Sequence, residues 1–311
     1  MFRKPWGNDI QDGSGLLKPQ AMTLGTYRFN LELTGPVSLP AFKGDVFHRL
    51  LGWGLGRVSS GMGNHFFRPR PPPGWPRNWQ TPPKPFLLIP SLDEARQYGS
   101  GDTLELGITL FGLATQHLSL ILAALETAGS HPGLSHGKGR FRILSVEQIT
   151  PRGLSTLHAD GQWLRMSEPV SAADIFVSAP ADRDHLTLYL LTRLRLKARG
   201  VLARRGPPLA VLCERLLGRL NTLAVMYCGG PLLTPAMKHE LITLAGLAAI
   251  MEDDTCWSDW SRDQGTTRFG GLLGRITYGN VPGTLLPWLC LGQWTGVGGK
   301  TSFGLGLYAL G

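Results

Sequence analysis

Residues 24–33 (LGTYRFNLEL) and residues 45–58 (DVFHRLLGWGLGRV) carry the strongest fold signal, because the spacing of apolar residues changes between them. In the first segment every second residue from position 27 to position 33 is apolar, which predicts a strand with one buried face. In the second segment apolar residues recur three and four positions apart, which predicts an amphipathic helix. The sequence therefore predicts a strand followed by a helix.

In the segments that follow, strand-like and helix-like spacing of apolar residues continue to replace each other. Strand patterns come next at residues 86–89 and 103–111, and a helix pattern over residues 114–128 precedes a further strand pattern at residues 141–149. The order strand–helix–strand–strand–helix–strand is that of the ferredoxin-like fold, which is also the topology of RNA-recognition motifs. The proline-rich span of residues 69–85 is expected to be a loop, since proline disrupts helices and central strands.

The second half of the chain repeats this order less regularly. Alternation predicts strands at residues 185–197, 245–250, 269–278 and 303–310, and helical spacing predicts helices at residues 209–227 and 284–291. We therefore expect an α+β protein of two tandem ferredoxin-like domains. The predicted domains are residues 1–150 and residues 151–311, the second containing a glycine-rich loop.

Composition indicates a polyanionic partner. The 311 residues include 31 Lys and Arg against 22 Asp and Glu, which gives a net charge of +9 and a pI near 9.7. RNA, DNA and anionic lipid all suit such a balance, and a charge that serves only solubility is the alternative interpretation. No apolar run approaches the ~18–20 residues of a membrane span, and the N-terminal residues lack the apolar core of a signal peptide. We expect a cytoplasmic protein without a membrane partner.

Cysteine, histidine and acidic residues give no metal-binding pattern. The four cysteines are at least fifteen residues apart and lie in apolar stretches, which favours buried reduced thiols over zinc ligands: Cys213, Cys228, Cys256 and Cys290. The eight histidines form no HxH or HxxxH pair. The acidic run at residues 252–254 is interpreted as a solvated turn, because adjacent acids in one loop do not converge on a single ion. No metal and no cofactor are predicted.

A glycine-rich segment near the end of the sequence, GVGGKTSFGLG from position 296, predicts a phosphate-binding loop. Glycines at this density let a backbone approach a phosphate closely. The segment is not a nucleotide-binding P-loop, because Trp294 occupies the position of that motif's first glycine and only ten residues follow Thr301. The dinucleotide fingerprint also fails at Thr301. We expect a nucleic-acid backbone to contact Gly298, Gly299 and Lys300.

A run of cations predicts a second nucleic-acid contact. Arg193, Arg195 and Lys197 alternate with leucine, so a strand would present three positive charges on one face, about 7 Å apart. That distance is close to the phosphate spacing of extended nucleic acid. Further cations extend the run: Arg199, Arg204 and Arg205. A solvated charged face is the alternative interpretation.

A segment in which arginines alternate with aromatic residues, around and after the first predicted helix, is a third candidate for nucleic-acid contact. Aromatic rings can stack on unpaired bases while arginine contacts phosphate, but the same rings could instead hold the proline-rich loop on the domain surface. The residues concerned are Arg49, Arg57, Phe66, Phe67, Arg68, Arg70, Trp75, Arg77 and Trp79.

Two segments resemble a known family. Residues 269–279 (FGGLLGRITYG), followed by Leu291–Trp294 and the glycine-rich segment, resemble the C-terminal domain of the CRISPR-associated Cas6 endoribonucleases of the RAMP superfamily. Residues 43–52 resemble the first-helix segment of the same family. This resemblance implies two ferredoxin-like domains, and leaves the CRISPR subtype open, a divergent type IV member included. Gly296 stands where many members carry a histidine, so the resemblance assigns no histidine role to this loop.

The resemblance also implies a chemistry. Members cleave precursor CRISPR RNA within its repeats without metal: the ribose 2′-OH attacks the adjacent phosphorus and leaves a 2′,3′-cyclic phosphate and a 5′-OH. It points to His48 as the general base, with His65 as a competitor, while Tyr27 would orient the scissile phosphate. Arg49 and Arg275 join the predicted RNA contacts, and other Cas proteins are possible partners. Two alternatives remain: a surface histidine at position 48, and a non-catalytic subunit that holds crRNA in an effector complex.

Overall fold

The computed structural model describes residues 21–71, 82–135, 137–179, 185–198, 200–260 and 269–311. The first half contains these strands: β1 (Thr23–Leu33), β2 (Val37–Ser38), β3 (Phe86–Pro90), β4 (Gln97–Tyr98), β5 (Thr103–Phe111), β6 (Phe141–Thr150), β7 (Gly153–Ala159), β8 (Gln162–Trp163) and β9 (Val170–Ser171). Its helices are α1 (Gly44–Val58), α2 (Ser60–Phe67), α3 (Leu118–Ser130) and α4 (Ala172–Val177).

The first sheet has the ferredoxin-like strand order. Strands β3, β5, β1 and β6 are antiparallel neighbours in that order, and α1 packs with α3 against one face. The predicted alternation in β1 is confirmed, because Tyr27, Phe29, Leu31 and Leu33 are all buried in the core beneath these helices. Strands β7 and β8 extend the sheet beyond β6, and β9 pairs with β1. The sheet therefore continues past residue 150, where the sequence predicts the domain boundary.

The second half repeats the same topology. Its strands are β10 (His185–Leu194), β11 (Lys197–Ala198), β12 (Val201–Leu202), β13 (Ala249–Ser258), β14 (Gly271–Gly279) and β15 (Tyr308–Leu310). Its helices are α5 (Leu209–Tyr227), α6 (Pro235–Ala245) and α7 (Leu286–Thr295). The sheet order β13, β14, β10, β15 is again ferredoxin-like, and α5 and α7 cover one face with apolar side chains. The predicted α+β fold with two such units is confirmed.

Some element predictions in the second half are wrong. The predicted strand at residues 245–250 begins too early, because Ala245 ends α6 and the strand β13 starts only at Ala249. The helix α6 itself is not predicted; it begins where the Thr234 hydroxyl accepts from an amide and Pro235 occupies the first turn. The acidic run at residues 252–254 is part of strand β13 instead of a turn. The last predicted strand is shortened to β15, because a 3-10 turn ends at Phe303 and both Gly304 and Gly306 have a positive φ. The predicted strand at residues 185–197 ends at Leu194.

Cysteine burial agrees with the sequence-based expectation in part. Cys213 and Cys290 are buried and Cys228 is half-buried, whereas Cys256 is exposed because it lies on the edge strand β13. Across the described ranges, no group of three or more His, Cys, Asp or Glu side chains is placed to hold a metal ion. No helix in that part of the chain is long and apolar enough to cross a membrane.

Candidate nucleic-acid interface at the domain junction

The imidazole of His48, on α1, is surrounded by side chains from both halves of the chain. It stacks on Phe303, with ring centroids 3.7 Å apart and planes inclined by 16°, and it meets the edge of Phe67 at 4.9 Å. Its Nε2 lies 2.8 Å from the Nζ of Lys84, which precedes β3. Phe303 can approach α1 because residue 44 is glycine: a Cβ there would collide with the carbonyl oxygen of Phe303.

The environment of His48 keeps its ring neutral. Burial, reinforced by the charges of Lys84, Lys300 and Arg49, lowers the pKa of His48 to about 3. Burial also lowers the pKa of Lys84 to about 8, so most of its ammonium is still charged at neutral pH. Because that ammonium can only donate, Nε2 of His48 accepts and the ring proton belongs on Nδ1. A neutral imidazole thus faces a cation across one hydrogen bond.

Three further cations reach this place from the second domain. The Nζ of Lys300 lies 4.4 Å from the ring centroid of Phe269 and 5.6 Å from that of Phe303. The Arg193 guanidinium lies 5.6 Å from the ring of Phe42, and Arg195 donates to the carbonyl of Gly270. Burial lowers the pKa of all three cations, and Arg195 further lowers that of Lys300. We call the following side chains the junction cluster: His48, Lys84, Arg193, Arg195 and Lys300.

The glycine-rich loop holds part of this cluster by bonds within the protein. The amide of Gly299 donates to the carbonyl of Arg195 at 2.8 Å, and the amide of Gly306 donates to that of Arg193 at 3.1 Å. Lys300 itself adopts a left-handed backbone conformation, with φ of 62°. The predicted use of the Gly299 amide for phosphate is therefore wrong, since that amide already has an acceptor. The predicted role of Lys300 rests on its side chain.

The predicted single cation strand is wrong, because β10 ends at Leu194 and Lys197 lies on another strand, but the burial of the segment alternates as predicted. Leu194 and Leu196 are buried, whereas Lys197 is exposed on β11. Arg204 lies flat on Trp257, with 3.6 Å between the guanidinium carbon and the ring centroid, and Arg205 is exposed. Arg199 lies outside the described residues. RNA contact by these residues stays a prediction.

Two other predicted RNA contacts have carboxylate partners in the protein. Arg275 pairs with Asp254 at 2.8 Å and with Glu252 at 3.5 Å, both on the neighbouring strand β13. Arg49 pairs with Asp45 at 3.2 Å, one turn earlier on α1. Since a phosphate would have to compete with these carboxylates, we give both arginines less weight than the junction cluster.

Two predicted catalytic residues lie apart from the junction cluster. Tyr27 is fully buried, and its hydroxyl shares a hydrogen bond of 2.6 Å with Ser167, while burial raises its pKa. A side chain enclosed in the core cannot orient a phosphate, which corrects the role implied by the resemblance. His65 is exposed on α2, and its described ring contact is with the edge of Phe66 at 6.0 Å.

The two aromatic residues of this segment that the structure describes, Phe66 and Phe67, pack against other side chains of the protein. Phe66 is fully buried in the first core, so it cannot stack on RNA bases. Phe67 contacts His48 and also lies 4.5 Å from the Lys84 ammonium, measured to the ring centroid. Three members of the predicted segment lie outside the described residues: Trp75, Arg77 and Trp79.

Comparison with known families identifies this architecture. Residues 188–308 match the family model of the CRISPR-associated endoribonuclease Cas6, and residues 22–170 match a model described as an N-terminal domain. Residues 188–308 therefore form a Cas6-family domain. No curated protein matches it.

Solved Cas6 structures share the fold over nearly the whole chain. A Cas6 product complex is 22% identical, with a TM-score of 0.60, and the match covers 93% of this chain and 99% of that one. Cas6 from Thermus thermophilus is 18% identical, with a TM-score of 0.57 and coverage of 93% and 98%. A partial Cas6-RT-Cas1–Cas2 complex is 17% identical, with a TM-score of 0.63, and is matched over 93% of this chain and 46% of that chain. At these identities the likeness supports the Cas6 fold alone.

Two members of the His48 environment were missed by sequence reasoning. Lys84 is a single lysine among Pro82, Pro83 and Pro85, and prolines on both sides restrict the backbone on which it is presented. A lysine held between prolines directly before a predicted strand is a signal that could have identified Lys84 as a site residue. Phe303 carried no such signal, because it was assigned to the final strand.

Proposed function

We propose that this Cas6-family protein is an endoribonuclease that binds precursor CRISPR RNA and cuts it within its repeats. The supporting observation is the junction cluster, where a neutral imidazole adjoins an ammonium and further cations. A neutral histidine can accept a proton, and cations offset the charge that develops on a phosphorane. The substrate is a polyanion, which suits the chain's net charge of +9.

In the proposed reaction the RNA displaces Lys84 from Nε2 of His48. That nitrogen takes the proton of the 2′-OH, and the 2′-oxygen forms a bond to the adjacent phosphorus as the bond to the 5′-oxygen breaks. Lys84 gives its proton to the leaving 5′-oxygen. A nearby phosphate raises the pKa of His48, because negative charge favours the imidazolium. Afterwards the proton on His48 returns to Lys84, which lies within hydrogen-bond distance.

We expect the protein to cleave its own repeat RNA in the presence of EDTA. The reason is that His48 and Lys84 together supply both proton transfers. Gel analysis gives the extent of cleavage, and mass spectrometry of the products should show 2′,3′-cyclic phosphate and 5′-OH ends. Activity that disappears on chelation and returns with magnesium would contradict the mechanism.

The role of Lys84 predicts a pH profile. With the pKa of His48 about 3 and that of Lys84 about 8, kcat/KM should be nearly constant between these values. It should fall above about pH 8, because a deprotonated amine cannot give a proton to the leaving oxygen. The variant Lys84→Arg keeps its charge at any accessible pH, so its rate should not decline there. Lys84→Met should be slow throughout, and an alkaline decline identical in all three proteins would refute the assignment.

One observation favours a second candidate, a non-catalytic subunit that holds crRNA in an effector complex with other Cas proteins. The Nε2 atom of His48 already has Lys84 as partner and Phe303 covers one ring face. A single-turnover assay separates the two, since the alternative predicts RNA that is bound but uncut. A cytoplasmic location, expected from the sequence, stays a prediction.

A further inference from the structure

The end of α5 contacts the segment that carries Lys84. Tyr227, the last residue of this second-domain helix, is buried, and its hydroxyl donates to the carbonyl of Pro83 at 2.6 Å. Pro83 is bonded directly to Lys84 in the chain. A single hydrogen bond therefore joins the second domain to the backbone beside the ammonium that faces His48.

This end of α5 is fixed against the first domain. A Cβ on Gly112, directly after β5, would collide with the carbonyl oxygen of Tyr227, so the helix end meets that strand at the distance that glycine permits. The Sγ of Cys228 also lies 3.8 Å from the carbonyl oxygen of Thr23. Tyr227 therefore joins the proline-rich segment from a closely packed contact between the two domains.

Two turns earlier on α5, Arg219 contacts the residue that directly precedes the glycine-rich loop. Its Nε donates to the carbonyl of Thr295 at 3.1 Å, and Thr295 is the last residue of α7. The last carbonyls of a helix have no partner within the helix, and a cation there is favourable to the helix dipole. The chain then turns at Gly296, with φ of 66°, into the loop that delivers Phe303.

We infer that Tyr227 and Arg219 are positioning residues, through which α5 holds Lys84 and Phe303 against His48. Neither touches the imidazole, so each acts through the segment that it bonds. Their effect on cleavage rests on the proposed function, whereas their effect on the surroundings of His48 does not. The two effects can therefore be measured separately.

The variant Tyr227→Phe tests the inference, because it removes one hydrogen bond and keeps the ring. In the full chain without RNA, ¹⁵N NMR followed from about pH 3 to 8 should show only the end of the His48 ring titration in the wild type, since its pKa is about 3. In Tyr227→Phe the pKa should rise by about one unit or more, because the Lys84 charge is no longer held against the ring. Single-turnover cleavage at saturating RNA should slow about 10- to 100-fold, with RNA affinity nearly unchanged.

Tyr278→Phe is a matched control. Tyr278 is also buried in the second domain and its hydroxyl also donates to a proline carbonyl, that of Pro207, at 2.6 Å. The control should leave the His48 titration and the cleavage rate as in the wild type. An unchanged His48 pKa in Tyr227→Phe, or an equal rise in Tyr278→Phe, would overturn the inference. If the wild type cuts no RNA, the proposed function fails. The His48 titration in Tyr227→Phe still shows whether Tyr227 positions Lys84.

Discussion

Replacing His48 by alanine should slow RNA cleavage by about 10²–10⁴-fold, which is the usual contribution of a general acid–base group. RNA affinity should stay within a few-fold of wild type, because the neutral ring contributes no charge to phosphate binding. Single-turnover rates at saturating RNA measure the first quantity and filter binding measures the second. A loss confined to the rate is the result that we expect.

His65→Ala is the control for this prediction. His65 is the competing histidine, exposed on α2, and its replacement should leave the rate unchanged. Normal cleavage by His48→Ala together with loss in His65→Ala would transfer the base to His65. Cleavage that neither replacement slows would contradict a histidine mechanism.

Replacing Arg193, Arg195 and Lys197 together by alanine should weaken RNA binding and flatten its salt dependence. For a single strand, each phosphate that no longer meets a cation reduces the slope of log K against log salt by ~0.7, so the slope of the triple variant should be smaller by about 2. Leu194 and Leu196 face the core on the opposite side and should preserve the fold, which a thermal melt checks. Lys300→Ala should weaken binding further.

Removing three exposed cations elsewhere provides the matched control. Lys138, Arg152 and Arg165 are exposed residues of the first domain, and their joint replacement lowers the net charge equally. The control should keep the wild-type slope if RNA follows the junction cluster. An unchanged slope in a folded Arg193, Arg195 and Lys197 triple variant would direct the search for the RNA path to Arg49, Arg68 and Arg70.

Local periodicity predicted most of the fold because the core strands and helices have one clearly buried face. The helix at residues 209–227 is predicted at its observed limits, and β1 differs by one residue. Prediction failed where the limits of an element depend on something other than the spacing of apolar residues. The capping residue Thr234 starts the helix α6, which periodicity did not predict, and the edge strand β13 has no buried residue, so it lacks the alternation that marks a strand.

The site was harder to predict than the fold because its members are distant in sequence. His48 could be selected from its helix, but Lys84 reaches it from a loop 36 residues later and Phe303 reaches it only after both domains have docked. Tyr27 was predicted to orient a phosphate, but it is buried. The alternation in β1 shows that one face of the strand is apolar, but it does not show whether a given side chain on that face is open to a ligand. The glycine loop was recognised, yet its Gly299 amide bonds to Arg195 instead of facing outward.

The stacking of His48 on Phe303 joins residues separated by about 250 positions, which has a consequence for synthesis. At about 5–20 residues per second, the ribosome makes Phe303 roughly 10 to 50 seconds after His48. During that interval the nascent first domain carries its histidine without Lys300 and without the ring that shields it. A half-made chain therefore presents His48 and Lys84 without the cations and the aromatic ring that the second domain adds to the junction cluster.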